Sequence, residues 1–185
     1  TVANGETEAT VKALKVATKL PIFLFPGDWS HITHFADALL FLTLLSGRNA
    51  EYLVGQQIKS ISKLKNSSLE IISTGYILID GGNGSAVSKV TNTEPLPQEN
   101  IENIVHTALA GQFIGAKIIY LEAGSGAKFP VKPEIISEVK KAINIPLIVG
   151  GGIKTEAQNN TAYEAGADMV VMGTAFEKSH FDSAQ

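Results

Sequence analysis

The chain has 185 residues, of which 44% are apolar and 18% charged, with no cysteine and a formal charge of −3. That length suits one domain with a sizeable core, and the lack of cysteine excludes disulfides and thiolate chemistry. The slightly acidic balance, with no basic stripe, argues against a general nucleic-acid binder. The longest apolar stretch, around Ala38–Leu45, is interrupted by Thr43 and falls short of a membrane span, and Thr1–Glu6 has no charged-then-apolar leader, so the expectation is a soluble cytoplasmic protein.

Taken in order, Glu6 to Thr18 carries Ala9, Val11, Ala13, Leu14 and Ala17 at mainly helical spacing. Leu20–Phe25 reads as a buried strand stopped by Pro26-Gly27, and Asp28–Phe35 is too short and broken for a crossover helix. Ala36–Leu45 predicts a central parallel strand, Ser46–Asn49 its turn, and Ala50–Lys65 a helix whose closing lysines suit the helix dipole. Leu69–Asp80 is a strand interrupted at Thr74-Gly75, and Gly81–Ser85 a flexible loop. Asn100–Gly115 predicts a helix, Lys117–Glu122 a strand, Pro133–Ile143 a helix and Pro146–Val149 a short buried strand. Thr155–Gly166 is a helix with Thr155 as its N-cap, Met169–Met172 is the last strand, and Phe176–Gln185 is a polar, frayed tail. Six strands alternating with helices imply a parallel sheet with right-handed crossovers.

Two glycine-bearing junctions and one acid carry the chemistry. The β-branched run Ile118-Ile119-Tyr120-Leu121 breaks at Glu122 into Ala123-Gly124-Ser125-Gly126-Ala127. The C-terminal ends of barrel strands are where chemistry is done, and apolar shielding there raises a carboxyl pKa toward that of a base. The plain alternative is that Glu122 caps a strand and pairs with a lysine. Val149-Gly150-Gly151-Gly152-Ile153-Lys154-Thr155 joins a strand to a helix, and Gly173-Thr174-Ala175 follows the next strand. Bare backbone with a helix N-terminus behind it suits an anion, and two such junctions in succession match the phosphate site of barrels. Tight turns are the alternative, although one glycine would serve a turn. The Gly-Lys-Ser/Thr ending of a nucleotide loop is absent.

These motifs resemble the geranylgeranylglyceryl phosphate synthase family, which includes bacterial heptaprenylglyceryl phosphate synthases. The matching pieces are LFPGD (Leu24–Asp28), ADALLFLTLLSGRN (Ala36–Asn49), YLVG (Tyr52–Gly55), EIISTGYILIDGG (Glu70–Gly82), YLEAGSGA (Tyr120–Ala127), VGGGIKT (Val149–Thr155) and GADMVVMGTA (Gly166–Ala175). The resemblance implies a TIM-type (β/α)8 barrel, and the family's first two strands, with their Asp-Pro-Asp and Gly-Gly-Ser motifs, do not occur here. It implies Mg2+-dependent ether-bond formation between sn-glycerol 1-phosphate and a polyprenyl diphosphate. Tyr120, Leu121, Glu122, Ala123, Gly124, Ser125 and Gly126 would line the glycerol phosphate, with Tyr120 and Glu122 catalytic and Glu122 the base. Gly151, Gly152, Gly173 and Thr174 would hold the phosphate. The family's metal carboxylate has no counterpart in this sequence, so no metal ligand is assigned. A homo-oligomer and transient membrane contact for the lipid product are further implications.

A prenyl chain needs an apolar groove, for which Leu24, Phe25, Trp29, Phe41 and Tyr52 are candidates, with ordinary core packing as the alternative. Arg48 is a candidate diphosphate or subunit contact, Asp80 a candidate substrate contact, and Gly81–Ser85 a candidate lid. His31, His34, His106 and His180 lack zinc-type spacing and read as surface residues. Two other functions fit the phosphate loops: a sugar-phosphate isomerase or aldolase, and a non-catalytic phosphate-ligand scaffold.

Overall fold

A computed structural model describes residues 6–173 and 175. Six strands form one sheet in strictly sequential order, β1 (Phe23–Leu24), β2 (Ala38–Leu44), β3 (Glu70–Leu78), β4 (Ile118–Glu122), β5 (Leu147–Gly150) and β6 (Met169–Val171). Every neighbouring pair is parallel. The strands curl into part of a barrel. Helix α1 (Thr7–Ala17) precedes β1, a single 3-10 turn (Trp29–His31) lies between β1 and β2, and α2 (Gln56–Leu64), α3 (Ala86–Thr91), α4 (Ile101–Ile114), α5 (Pro133–Ala142) and α6 (Glu156–Glu164) supply the later crossovers. Among the described residues no helix is long and apolar enough to cross a membrane.

The parallel order follows from the apolar runs. Ile77, Ile119, Leu121, Leu147 and Val149 are buried with Ile104, Ala108, Ile135, Ile136 and Val139 from α4 and α5. Each such aliphatic side chain contributes about 1.5–3 kcal/mol when fully buried. The alternate residues Leu40, Leu44, Tyr76, Leu78, Tyr120 and Ile148 form a second cluster on the opposite face. Local signals end the helices where the sequence places them. Asn100 accepts from the Asn103 amide at the start of α4, and Gly115, at φ 112°, closes it.

Four expectations need correction. Leu20–Phe25 is not a buried strand: only Phe23 and Leu24 pair, and Leu20, Phe23 and Phe25 are exposed. Flanking Pro21 and Pro26 lack the amides a longer ladder needs. Thr74-Gly75 does not interrupt β3, where Gly75 pairs with Thr43 and Ile119. A Cβ on Gly75 would stand 2.8 Å from Leu45 Cδ1 and 2.9 Å from Ile119 Cδ1, so the glycine makes room for packing rather than a break. The first turn of the Ala50–Lys65 helix is a π-helix, Glu51–Gly55, before α2 begins. The Gly81–Ser85 loop is tied down, because Gly81 O accepts from the Lys128 and Phe129 amides, both at 2.9 Å. It leads into α3, a short helix capped by Ser85 that the sequence reading does not predict. The expected frayed tail, Phe176–Gln185, lies outside the described residues.

Candidate functional site

A cavity of about 470 Å3 opens on the inner face of the sheet at the C-terminal strand ends. Phe25, Trp29, Phe41 and Tyr52 line it as expected. Leu24 does not: it packs under the sheet with Val11, Ile32 and Leu39. Arg48 is also elsewhere, donating to the carbonyls of Leu45 and Gly47. Asp80 lies outside this cavity and accepts from the Gly82 amide at 2.9 Å. The Gly81–Ser85 loop does not reach the cavity either; α3 does, through Ala86, Val87, Val90 and Thr91. His31 lines the cavity, His34 and His106 are exposed, and His180 is outside the described residues.

Strand register builds the chemical end of this space. Tyr76 pairs with Tyr120 and Tyr120 with Ile148; two residues on, Leu78 pairs with Glu122 and Glu122 with Gly150. Tyr120 and Glu122 therefore point to the same inner face. Phe25 joins from β1's end, and its ring centroid lies 5.7 Å from that of Tyr76 and 5.2 Å from that of Tyr120. Tyr76 and Tyr120 meet edge-on at 5.3 Å. This three-ring wall stands beside the only buried carboxylate among the described residues.

Glu122 is 6% exposed, and its Oε1 accepts from the Gly124 amide at 2.7 Å. Burial pushes its carboxyl pKa up, and the neighbouring Tyr120 hydroxyl and then the Gly124 amide oppose that shift. Oε2 accepts no hydrogen bond of good geometry among the described residues. The buried Tyr120 hydroxyl likewise has no partner there, although it stands close to Oε2. Burial, with the Glu122 charge adding to it, raises the pKa of the Tyr120 phenol, so it remains a proton donor. An unpaired buried hydroxyl next to an unpaired carboxylate oxygen is costly in the free protein and ready for a polar ligand.

The glycines also have a packing reason that the sequence reading does not contain. A Cβ on Gly150 would fall 2.5 Å from the Tyr120 hydroxyl, and one on Gly151 would fall 2.5 Å from Glu122 Oε1. One on Gly152 would fall 2.9 Å from the Phe129 carbonyl. The three glycines let the loop after β5 press against the loop after β4, and Gly151 and Gly152 also adopt positive φ, at 81° and 72°. The helix terminus behind them is partly occupied by its own residues. Lys154 and Thr155 amides donate to Gln158 Oε1, and the Gln158 amide donates to Thr155 Oγ1, a closed capping box.

Donors remain in the loops themselves. Ser125, Gly126, Gly151 and Gly152 all line the cavity, and among the described residues their amides donate to no protein acceptor. Gly173 lines it too, while Thr174 lies outside the described residues. Leu121 and Ala123 are buried on the helix-facing side, so of the Tyr120–Gly126 stretch they do not contact the cavity; Gly124 supports Glu122 instead of lining the space. Sequence reasoning missed Tyr76, α3 and the Lys154 side chain, all on the cavity wall. A signal for Lys154 existed, since it follows the three glycines directly.

Known proteins resemble this chain in sequence and fold. A geranylgeranylglyceryl phosphate synthase of Zunongwangia profunda is 55% identical over 181 residues, covering 98% of this chain and 77% of the relative. The synthase of the same name from Flavobacterium johnsoniae is 54% identical over 175 residues, covering 94% and 72%. The crystal structure of (S)-3-O-geranylgeranylglyceryl phosphate synthase from Thermoplasma acidophilum, in complex with its substrate sn-glycerol-1-phosphate, superposes with a TM-score of 0.86. It is 35% identical, and the match covers 93% of this chain and 70% of that one. The model of the PcrB family matches residues 1–185, and the chain belongs to that family.

Proposed function

We propose that Glu122 is the base in prenyl transfer from a polyprenyl diphosphate to the terminal hydroxyl of sn-glycerol 1-phosphate, the reaction of a geranylgeranylglyceryl phosphate synthase. The chain is a prenyltransferase. One juxtaposition carries the reading of its site: four loop amides with no acceptor among the described residues stand beside a buried carboxylate, at one end of a cavity whose lining is mostly apolar. The amides of Ser125, Gly126, Gly151 and Gly152 are donors for a phosphate, aimed from two loops that touch. Glu122 Oε2 is then left for the alcohol, within about 3 Å of it in the reactive complex. The cavity wall from Phe41 and Tyr52 to Val87 and Val90 suits a hydrocarbon chain.

The residues act in sequence. The loop amides fix the phosphate, the Tyr120 hydroxyl and Glu122 orient the glycerol hydroxyl, and the aromatic wall excludes water from the reacting carbon. As the allylic carbon–oxygen bond to diphosphate breaks, its electron pair leaves with the diphosphate. The glycerol oxygen forms the new ether bond, and its proton passes to Glu122. The rings of Phe25, Tyr76 and Tyr120 suit the positive charge that develops on the allylic carbon.

Mg2+ belongs to this proposal as the companion of the diphosphate, which it would neutralise. Among the described residues no three histidines, aspartates or glutamates converge as a metal cage. The cavity acids are Asp28 and Glu122, and Asp28 Oδ1 is committed to the Ser30 amide. These residues do not fit a preformed site, and no step above depends on the ion. The same proposal extends the six-stranded curl to a (β/α)8 barrel, the closed form that leaves no sheet edge. It includes a homo-oligomer, for which the exposed Phe113 and Ile114 at the end of α4 offer an apolar contact.

The test is direct. The protein is incubated with sn-glycerol 1-phosphate, labelled geranylgeranyl diphosphate and Mg2+, and the label is followed into the organic phase. Label that stays in the aqueous phase while a sugar phosphate is turned over would overturn the proposal in favour of an isomerase or aldolase.

A further inference from the structure

The two proposed substrates bring a phosphate and a diphosphate, together about five negative charges near neutral pH, into one cavity. The wall already carries two carboxylates, Glu122 and Asp28. Loop amides supply partial charge only, and the capping box of α6 has consumed the amides of Lys154, Thr155 and Gln158. The remaining first-turn amides of α6, those of Glu156 and Ala157, likewise offer partial charge only. Beyond the Mg2+ proposed to accompany the diphosphate, full positive charge on the wall has to come from a side chain, and among the described residues lining the cavity Lys154 is the only lysine or arginine.

Lys154 is also placed to be available. It follows Gly151, Gly152 and Ile153 on the cavity rim, across from Val171 and Gly173, and its backbone is held by Gln158. Its side chain is exposed, and among the described residues it makes no ion pair or hydrogen bond. Three other lysines, none of them lining the cavity, are committed. Lys59 pairs with Glu51, Lys63 donates to the Ser30 and Ile32 carbonyls, and Lys132 pairs with Glu99.

We infer that Lys154 is the cationic side chain of this site, closing on phosphoryl oxygens of the bound substrate once the loop amides have fixed it. The assignment rests on the phosphate reading of the cavity. It adds a substrate-contacting residue outside the Tyr120–Gly126 stretch and the glycine pair. A single flexible ammonium suits phosphoryl groups as a point charge. On the rim of a cavity with acidic walls it also offsets their repulsion of incoming anions.

The experiment compares Lys154→Met and Lys154→Arg with the parent enzyme in the labelled prenyl-transfer assay, varying each substrate separately and measuring inhibition by inorganic pyrophosphate. Lys141→Met, on the far side of α5, controls for net charge. If Lys154 meets the glycerol phosphate, Lys154→Met raises KM for that substrate about tenfold and leaves pyrophosphate inhibition unchanged. If it meets the diphosphate, kcat falls and the pyrophosphate inhibition constant rises by a similar factor. In either case Lys154→Arg recovers most of the loss, which a merely structural role would not predict. Both constants within twofold of the parent in Lys154→Met would overturn the inference. Absence of prenyl transfer in the parent would overturn the underlying functional reading instead, and the two failures are thereby separable.

Discussion

The two faces of the same three strands solve different problems. Toward the helices, Ile77, Ile119, Leu121, Leu147 and Val149 meet α4 and α5 in a filled aliphatic layer. Toward the inner face, one residue away each time, stand Tyr76, Leu78, Tyr120, Glu122, Ile148 and Gly150, of which Tyr76, Tyr120 and Glu122 border open space. The outer face gains stability from close packing. The inner face gives some of it up: it leaves a cavity, an unpartnered Tyr120 hydroxyl and a buried carboxylate whose pKa burial has raised. Unfavourable groups concentrated on one face, while its neighbour is conventional, mark where the fold serves chemistry.

That contrast is broken most severely from the outer face. Leu121→Ala should cost about 2–5 kcal/mol by leaving a cavity in the helix-facing layer. Chemical denaturation reads that loss, and the protein that remains folded should keep its KM values. A shift in KM larger than the loss of folded protein explains would show that the two faces are not independent.

Glu122→Gln tests the inner face. Turnover should fall about 10²-fold or more while glycerol phosphate still binds. Stability should move the other way with pH. Because burial raises the Glu122 pKa in the native state, the folded protein holds that proton at pH values where the unfolded chain has released it. Parent stability therefore falls as pH rises from the ordinary glutamate value through the raised one. The glutamine variant lacks this dependence, so its advantage in melting temperature should grow with pH across that window and be absent below it. An equal offset at every pH would remove the argument for a desolvated carboxylate.

Gly151→Ala sharpens the boundary between faces, since the added methyl would meet Glu122 Oε1 and the backbone φ is 81°. It should destabilise by about 1–3 kcal/mol and lower kcat together with glycerol phosphate affinity. Calorimetry and steady-state kinetics on one preparation check both. The mildest test is Tyr120→Phe. Removing an unpartnered buried hydroxyl should leave the melting temperature unchanged or slightly higher, while KM for glycerol phosphate rises several-fold. A clear loss of stability would mean the hydroxyl has a partner in the resting protein.

Much of this design is written locally. Near-continuous apolar runs and cap residues determine that Ala38–Leu44, Ile118–Glu122 and Leu147–Gly150 are parallel strands and that Asn100 and Gly115 bound a helix. Glu122 at the end of its strand and the glycines at the next two junctions are equally local, because one element's burial period is enough to place them. The Thr155 and Gln158 pair was legible too, as the spacing of a capping box, and it occupies part of the helix terminus that the glycines precede. What only tertiary structure decided is convergence between elements. Phe25, Tyr76 and Tyr120 come from three strands and meet because of register and curl. The glycines are bare because a neighbouring loop occupies their Cβ positions, and α3 and Lys154 reach the cavity by the way loops dock. Periodicity along a chain encodes which side of one element is buried; it holds no information about which atoms of another element will stand there.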